Sequence, residues 1–297
     1  MEIILTIFLF VLGAMLGSFA ACQVWRIKKG DKAKRSHCMS CGYQLKWYDN
    51  VPIISWLCLR GKCRKCGKKI GRMEIFAELG LAVVFVLSYL LWPKKQWLDA
   101  GFGLMGGVGS GLDVANIVIV LEMVKFGLLL ALLVPLLISF LYDLKFLELP
   151  VAILYVNIAI AVLFAGVSIW QGVLTDGALQ YANEMPFWLR GLCEYGAAFA
   201  ILPGLYFVMY KISHEKWVGG GDWILNIALA LVLGNFWLAT FAMFLSNILG
   251  LVAYLPKTLS AKKGKKLEMQ IPFGPFLILA FWLIFVGQNF ILDMVWY

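Results

Sequence analysis

Long apolar runs, each bounded by a short polar or basic stretch, set the pattern of this 297-residue chain. Eight such runs, at about 3–25, 74–92, 118–141, 150–170, 187–210, 223–236, 238–255 and 273–292, approach the roughly 20 residues that cross a bilayer as a helix, the sixth being short. None alternates with the period of two that marks a membrane barrel. The pattern therefore predicts an all-α polytopic membrane protein with about eight transmembrane helices. The first run is too long for the apolar core of a signal peptide, and Glu2 stands where a basic lead-in belongs. It reads as an uncleaved span.

Composition agrees, since 62% of residues are hydrophobic and only 14% charged. Soluble domains run about 45–50% apolar and about 25% charged. The net charge of +9 would suit nucleic acid, but its distribution points elsewhere. Nineteen of the 26 Lys and Arg fall in two segments beside spans, Arg26–Arg72 and Lys257–Lys266. Such clustering marks cytoplasmic loops and a partnership with membrane lipids, with no nucleic acid expected. It puts the N-terminus outside and the connections at 26–73, 142–149, 211–222 and 256–272 inside, with Lys145, Lys211 and Lys216. Lys94 and Lys95 fall outside. The Gly-rich stretch 101–113 lacks the ending of a phosphate loop and reads as a connection.

The basic segment 26–73 has too little apolar material for a core and needs a staple. Cys38-Met-Ser-Cys41 and Cys63-Arg-Lys-Cys66 supply one, because two such knuckles can close a tetrahedral thiolate shell around Zn²⁺. Two disulfides are the competing reading, disfavoured in a reducing cytoplasm. Four thiolates leave no open coordination position, so the zinc is expected to be structural. Cys58, between the knuckles, could only substitute as a ligand, and His37 reads as a solvated residue of the basic loop rather than a fifth ligand. Cys22 and Cys193 read as packing residues within spans. The expected organisation is a first helix at 1–25, a cytoplasmic zinc domain at 26–73 and a seven-helix membrane domain at 74–297.

Ionisable groups bordering hydrocarbon are expensive and mark candidate function. Asp143 ends the third run and Asp222 opens the sixth, both at the cytoplasmic border. Gly219, Gly220 and Gly221 before Asp222 remove every Cβ from its approach, which admits a sharp turn and a substrate chain. Two carboxylates sharing a proton can hydrolyse a peptide bond, one activating water and one polarising the carbonyl. Alone, either Asp would read as a helix cap. Glu78, Glu122 and Glu194 read as interfacial or paired groups, with lining a substrate path as the alternative. The helix dipole is expected to favour the proton on Asp143, at a helix C-terminus, and the charge on Asp222, at an N-terminus.

Together these motifs resemble the type IV prepilin peptidase family, membrane aspartic proteases of the GxGD type. The resemblance runs from Gly17-Ser18-Phe19 through both knuckles, the stretch Trp47 to Cys63, Glu78, Asp143 with Pro150, Gly219-x-Gly221-Asp222 and Ile271-Pro-Phe-Gly-Pro-Phe276. It implies Asp143 and Asp222 as the catalytic pair, acting in the bacterial cytoplasmic (inner) membrane on its cytoplasmic face. It also implies that the basic leader of prepilin-like precursors is cut after a Gly, with the new N-terminus then methylated from S-adenosylmethionine. No residue of the sequence by itself identifies a cofactor pocket. The family usually has Asp where Val151 stands, Lys where Ile224 stands and Asn where Ala21 stands. A peptidase without methylation, a transporter with membrane aspartates and a non-catalytic scaffold are the alternatives. Transport sites lie near the bilayer midplane, whereas both aspartates fall at one border.

Overall fold

The computed structural model describes residues 2–31, 35–93, 114–176, 187–215, 218–260 and 271–296. The readings at Lys94 and Lys95, in the 101–113 connection, at Lys216 and in the lysine run at 262–266 lie outside them. Among the described residues there is no strand, only helices and two isolated bridges, His37–Gln44 and Lys62–Lys69. Helices dominate because nothing in a bilayer can satisfy backbone N–H and C=O groups except the segment itself.

The order is α1 (Glu2–Lys29), α2 (Ile54–Cys58), α3 (Arg72–Leu90), α4 (Val114–Phe146), α5 (Val151–Asp176), α6 (Phe187–Phe199), α7 (Leu205–Ser213), α8 (Gly220–Leu233), α9 (Phe236–Ser260), α10 (Gly274–Val286) and α11 (Gln288–Trp296). A π-helical turn, Ala200–Gly204, joins α6 to α7 and contains Pro203, which removes one ladder donor and unwinds that turn.

Among the described residues, six helical stretches are long and apolar enough to span a membrane, and seven if the pair α10 and α11, bent by 71°, counts as one. The remaining expected span, the sixth, is α8, whose 14 residues reach only about 21 Å against a hydrocarbon core of about 30 Å. It ends at Gly234 in the left-handed conformation, where the chain turns into α9. All eight apolar blocks are thus helical, but one is a short helix packed among the others.

Helices α1 and α3 meet at Gly13 and Gly17, four residues apart on one face. A Cβ at Gly13 would sit 2.7 Å from Ala82 Cα, and one at Gly17 would sit 2.5 Å from the Ala77 carbonyl oxygen. Only glycine allows this approach, the small-xxx-small contact of membrane helices. Leu129, Leu132 and Leu136 of α4 pack with Leu154 of α5, Leu225 and Leu229 of α8 and Phe281 of α10 as one apolar core.

One end of the bundle gathers the C-terminus of α1, the N-terminus of α3 and the α4–α5 corner. Trp25 Nε1 donates to Glu74 Oε1 at 3.3 Å, and Lys28 Nζ to Glu148 Oε2 at 2.9 Å. The opposite end holds a buried polar knot. Glu122, 1% exposed, accepts hydrogen bonds from Trp92 Nε1, Lys125 Nζ and Gln171 Nε2. A carboxyl group so deep in apolar surroundings is tolerated because its oxygens are hydrogen-bonded. Glu122 therefore ties α3, α4 and α5 together, far from the two aspartates.

Candidate active site

Asp143 lies three residues before the end of α4, and Asp222 is the third residue of α8. Both are buried, at 6% and 7% exposure. Each accepts a backbone N–H from the start of a helix. Gly219 N–H donates to Asp222 Oδ2 at 3.1 Å, and Gly274 N–H, at the start of α10, donates to Asp143 Oδ2 at 2.9 Å. The two carboxylates lie within electrostatic reach of one another.

This geometry revises the expected division of charge. The sequence put Asp143 at a helix C-terminus only, yet it also meets the positive end of α10, so the dipole asymmetry between the two aspartates is lost. Asp222 does cap its own helix and still lies within electrostatic reach of Asp143.

Leu149, in the α4–α5 corner, wedges between the two sides of the site. A Cβ at Gly221 would fall 2.7 Å from Leu149 Cβ, and one at Gly274 would fall 2.9 Å from Asp143 Oδ2 and 3.5 Å from Leu149 Cδ2. The backbone at 219–221 needs no left-handed turn, since Gly219 is extended and Gly220 opens the helix. The expected sharp turn is absent, and what Gly221 supplies is space. Gly221→Ala is expected to force Leu149 aside, lowering stability by about 1–3 kcal/mol and cleavage by at least about tenfold. Thermal melts and initial rates of the variant check this, and a variant indistinguishable from wild type contradicts it.

Two tyrosines join the site without having been singled out in the sequence. Tyr206 of α7, 3% exposed, lies within electrostatic reach of Asp222, and Tyr254 of α9 within reach of Asp143. Their rings pack on Phe273 and Phe276 at 5.8 and 6.0 Å, flanking the Gly274 donor. One turn deeper lies a polar floor. Ser139 precedes Asp143 by four residues, Asn226 follows Asp222 by four, and Asn157 of α5 donates to Ser139 Oγ at 3.4 Å. All three are fully buried, and both polar atoms of the Asn226 carboxamide lack a protein partner. Such groups ordinarily find a partner, so these remain available to a small polar guest.

Val151, half exposed, and the partly buried Ile224 put no charge beside the aspartates. Glu78, on α3, is elsewhere, and its Oε2 accepts the Ile53 N–H at 2.7 Å. That bond holds a loop residue whose φ of +63° is unusual for isoleucine. Glu194 sits on α6, twelve residues before Tyr206, in the other half of that broken helix.

The four cysteines converge. The Sγ atoms of Cys38, Cys41, Cys63 and Cys66 all lie within 4.8 Å of one another, with Cys38 and Cys66 at 3.9 Å. A tetrahedral ion with metal–sulfur bonds of about 2.3 Å would separate its ligands by about 3.8 Å, so the cluster fits a metal ion. The knuckles are built alike. Gly42 N–H donates to Cys38 O and Gly67 N–H to Cys63 O, both at 2.9 Å, and both glycines take φ of +68°. That left-handed turn folds each pair of sulfurs inward, and a side chain there would strain it.

Ser40 N–H, helped by Cys41 N–H, holds the Cys38 thiol down at about 6 against burial. Against the pull of the Tyr43 N–H, burial and the neighbouring thiols push Cys41 up to about 11. A cation resolves this competition by taking the place of the protons. Cys58 and His37 are not in the cluster; Cys58 is exposed and His37 faces Asp31 at 3.6 Å. Arg64 Nε donates to the buried Asp49 at 2.7 Å, which joins the second knuckle to the 3₁₀ turn Trp47–Asp49 and raises the Arg64 pKa.

A family model described as the bacterial peptidase A24 N-terminal domain matches residues 11–92. Over 295 residues, 96% of this chain and 98% of the relative, the chain is 26% identical to a prepilin leader peptidase/N-methyltransferase of Vibrio cholerae. A Bacillus subtilis protein of the same description is 27% identical over 90% of this chain and 88% of its own length. A Myxococcus xanthus relative reaches 41%, over 27% of this chain and 24% of its own. No solved structure matches the chain.

Proposed function

We propose that this chain, which is similar to prepilin leader peptidase/N-methyltransferases over nearly its whole length, removes the leader from prepilin-like precursors with Asp143 and Asp222 as an aspartyl pair. The observation that carries this reading is the meeting of two buried carboxylates at one end of a multi-pass bundle, each held by a helix-terminal N–H. With one proton between them, the ionised carboxylate takes a proton from water while the protonated one donates to the scissile carbonyl oxygen. The resulting tetrahedral carbon collapses as the amine nitrogen is protonated and leaves. Gly221 and Gly274 let Leu149 and the Asp143 carboxylate pack close against their backbones, and the polar floor can hold water below the pair.

Positive-inside charge at this end of the bundle supports placing the site on the cytoplasmic face of the bacterial inner membrane. The alternative as an ion transporter fits less well, because both aspartates lie at one end of their helices rather than midway. The four cysteines are read as a structural zinc site, since a closed thiolate shell offers no position for substrate. Exposed Trp47, Ile54 and Leu57 among lysines give that segment a surface suited to anionic lipid. Reconstitution in anionic rather than zwitterionic nanodiscs is expected to raise its protection from amide exchange, and equal protection would contradict the lipid contact.

S-adenosylmethionine, when bound, supplies an electrophilic methyl group to the amine that cleavage exposes. The test of both activities is intact mass of a leader-bearing precursor incubated with the purified chain. Loss of the leader is expected, and a further gain of one methyl mass when the donor is added. An uncut precursor with a folded, metal-loaded chain overturns the peptidase reading; cleavage without added mass overturns only methylation.

A further inference from the structure

We propose that Ser139, Asn157 and Asn226 form an internal water site one helical turn below Asp143 and Asp222, and that the water held there is the one the pair activates. The inference deepens the peptidase reading above and rests on it. All three residues carry polar side chains, yet none has any exposed surface. Buried polar groups are almost always hydrogen-bonded, so a set that the protein leaves partly unmet points to a guest.

Helix geometry puts the three at one level. Ser139 and Asn226 are each four residues deeper than the aspartate of their own helix, a spacing that stacks side chains on one face about 6 Å apart. Asn157 and Asn226 each stand seventh in their helices, α5 and α8, which pack side by side. The starts of those two helices are level, because Leu149 lies against Gly221. The unmet donors and acceptors then decide what the guest is. Ser139 Oγ donates to the Pro135 carbonyl at 3.1 Å and accepts Asn157 Nδ2 at 3.4 Å, which leaves Asn157 Oδ1 as an acceptor with no partner among the described residues. Asn226 adds one unmet donor, Nδ2, and one unmet acceptor, Oδ1. A metal cation could use the two oxygens but would be repelled by the N–H donor. Water both donates and accepts, and an internal water typically makes about three hydrogen bonds to such groups.

The span up to the carboxylates suits the same guest. Asp and Asn side chains are equally long, so a rise of about 6 Å between them spans two hydrogen bonds of about 2.8 Å with one water in the middle. The Gly219 and Gly274 N–H groups fix both carboxylates, so a water tied to the floor has a fixed place relative to them. In the cleavage step the ionised carboxylate takes one proton from that water, and its oxygen bonds to the scissile carbonyl carbon while the other carboxyl group gives its proton to the carbonyl oxygen. One water is consumed in each cleavage. Asn226, Asn157 and Ser139 are positioning residues in this scheme, because they hold the water and do not touch the precursor.

Two measurements test this. In a high-resolution map of the detergent-solubilised, metal-loaded full chain, water is expected within hydrogen-bond reach of the Asn226 carboxamide and of Asn157 Oδ1, whether or not the chain cleaves anything. A floor closed by side-chain bonds alone, with no water in it, overturns the site. In cleavage assays Asn226→Leu, which keeps the size and removes both polar atoms, is expected to lower kcat at least about tenfold at unchanged KM, since a small misplacement of a reacting group costs that much. Its melting temperature is expected to hold or rise, because two buried polar atoms unmet by the protein are gone. Asn157→Leu is expected to act in the same direction, by about threefold, and Asn226→Ser, whose hydroxyl still holds water, to keep at least about a third of the wild-type kcat. Activity that falls only in step with melting temperature in both Leu variants, or full activity in Asn226→Leu, overturns the positioning role. A wild-type chain that leaves every precursor uncut overturns the peptidase reading and the positioning role with it, while the map still decides the water site.

Discussion

Replacing either Asp143 or Asp222 by Asn is expected to lower leader cleavage by about a thousandfold, within the roughly 10²–10⁴-fold that a positioned acid or base contributes. Asn preserves the shape of each side chain. It also preserves the local hydrogen bonds, because its carbonyl oxygen can accept the Gly274 N–H at position 143 and the Gly219 N–H at position 222. If the aspartates were only caps, the exchange would be almost silent, since Asn and Asp cap helices about equally well. Loss of cleavage at unchanged melting temperature therefore separates catalysis from architecture. Pre-steady-state rates with a leader-bearing precursor check it, and a variant retaining a tenth of wild-type rate contradicts it.

The second large effect is expected from the cysteines. Stripping the metal with a chelator, or Cys38→Ser together with Cys63→Ser, is expected to unfold the segment between α1 and α3. Structural zinc contributes about 10–16 kcal/mol of apparent binding energy to small thiolate domains, and this segment has little else. Of the four cysteines only Cys63 is buried, and the described regular structure between 35 and 71 is α2, a 3₁₀ turn and two bridges. Fast amide exchange is expected from 35 to 71, with α4 and α8 remaining protected. Unaltered protection of this segment after complete metal removal would contradict a structural role.

What could be read from the sequence followed from local chemistry. Apolar runs of bilayer length required helices, and all eight blocks are helical. The knuckles announced their convergence by spacing, and the matching Gly42 and Gly67 complete each turn. Asp143 and Asp222 stood out because a charge beside a long apolar run is costly.

What stayed hidden depends on contacts between distant residues. Gly274 N–H reaches Asp143 across 131 positions, and nothing near either residue signals it; that one bond removes the expected asymmetry of the pair. Leu149 looked like any leucine until its neighbours proved to be two glycines from different helices. The break at Ala200–Gly204 had a local signal in Pro203, and the Gly13–Gly17 spacing signalled the α1–α3 contact. The bend between α10 and α11 had only Gly287, which breaks no helix by itself.

The most direct test of the central claim is a mutant cycle on the pair: cleavage rates of wild type, Asp143→Asn, Asp222→Asn and the double variant, each verified as folded and metal-loaded. Two carboxylates that act as one unit predict that the double variant loses no more than either single variant, about a thousandfold. Losses that multiply, or a single variant that still cuts at close to the wild-type rate, would show that Asp143 and Asp222 do not share the reaction.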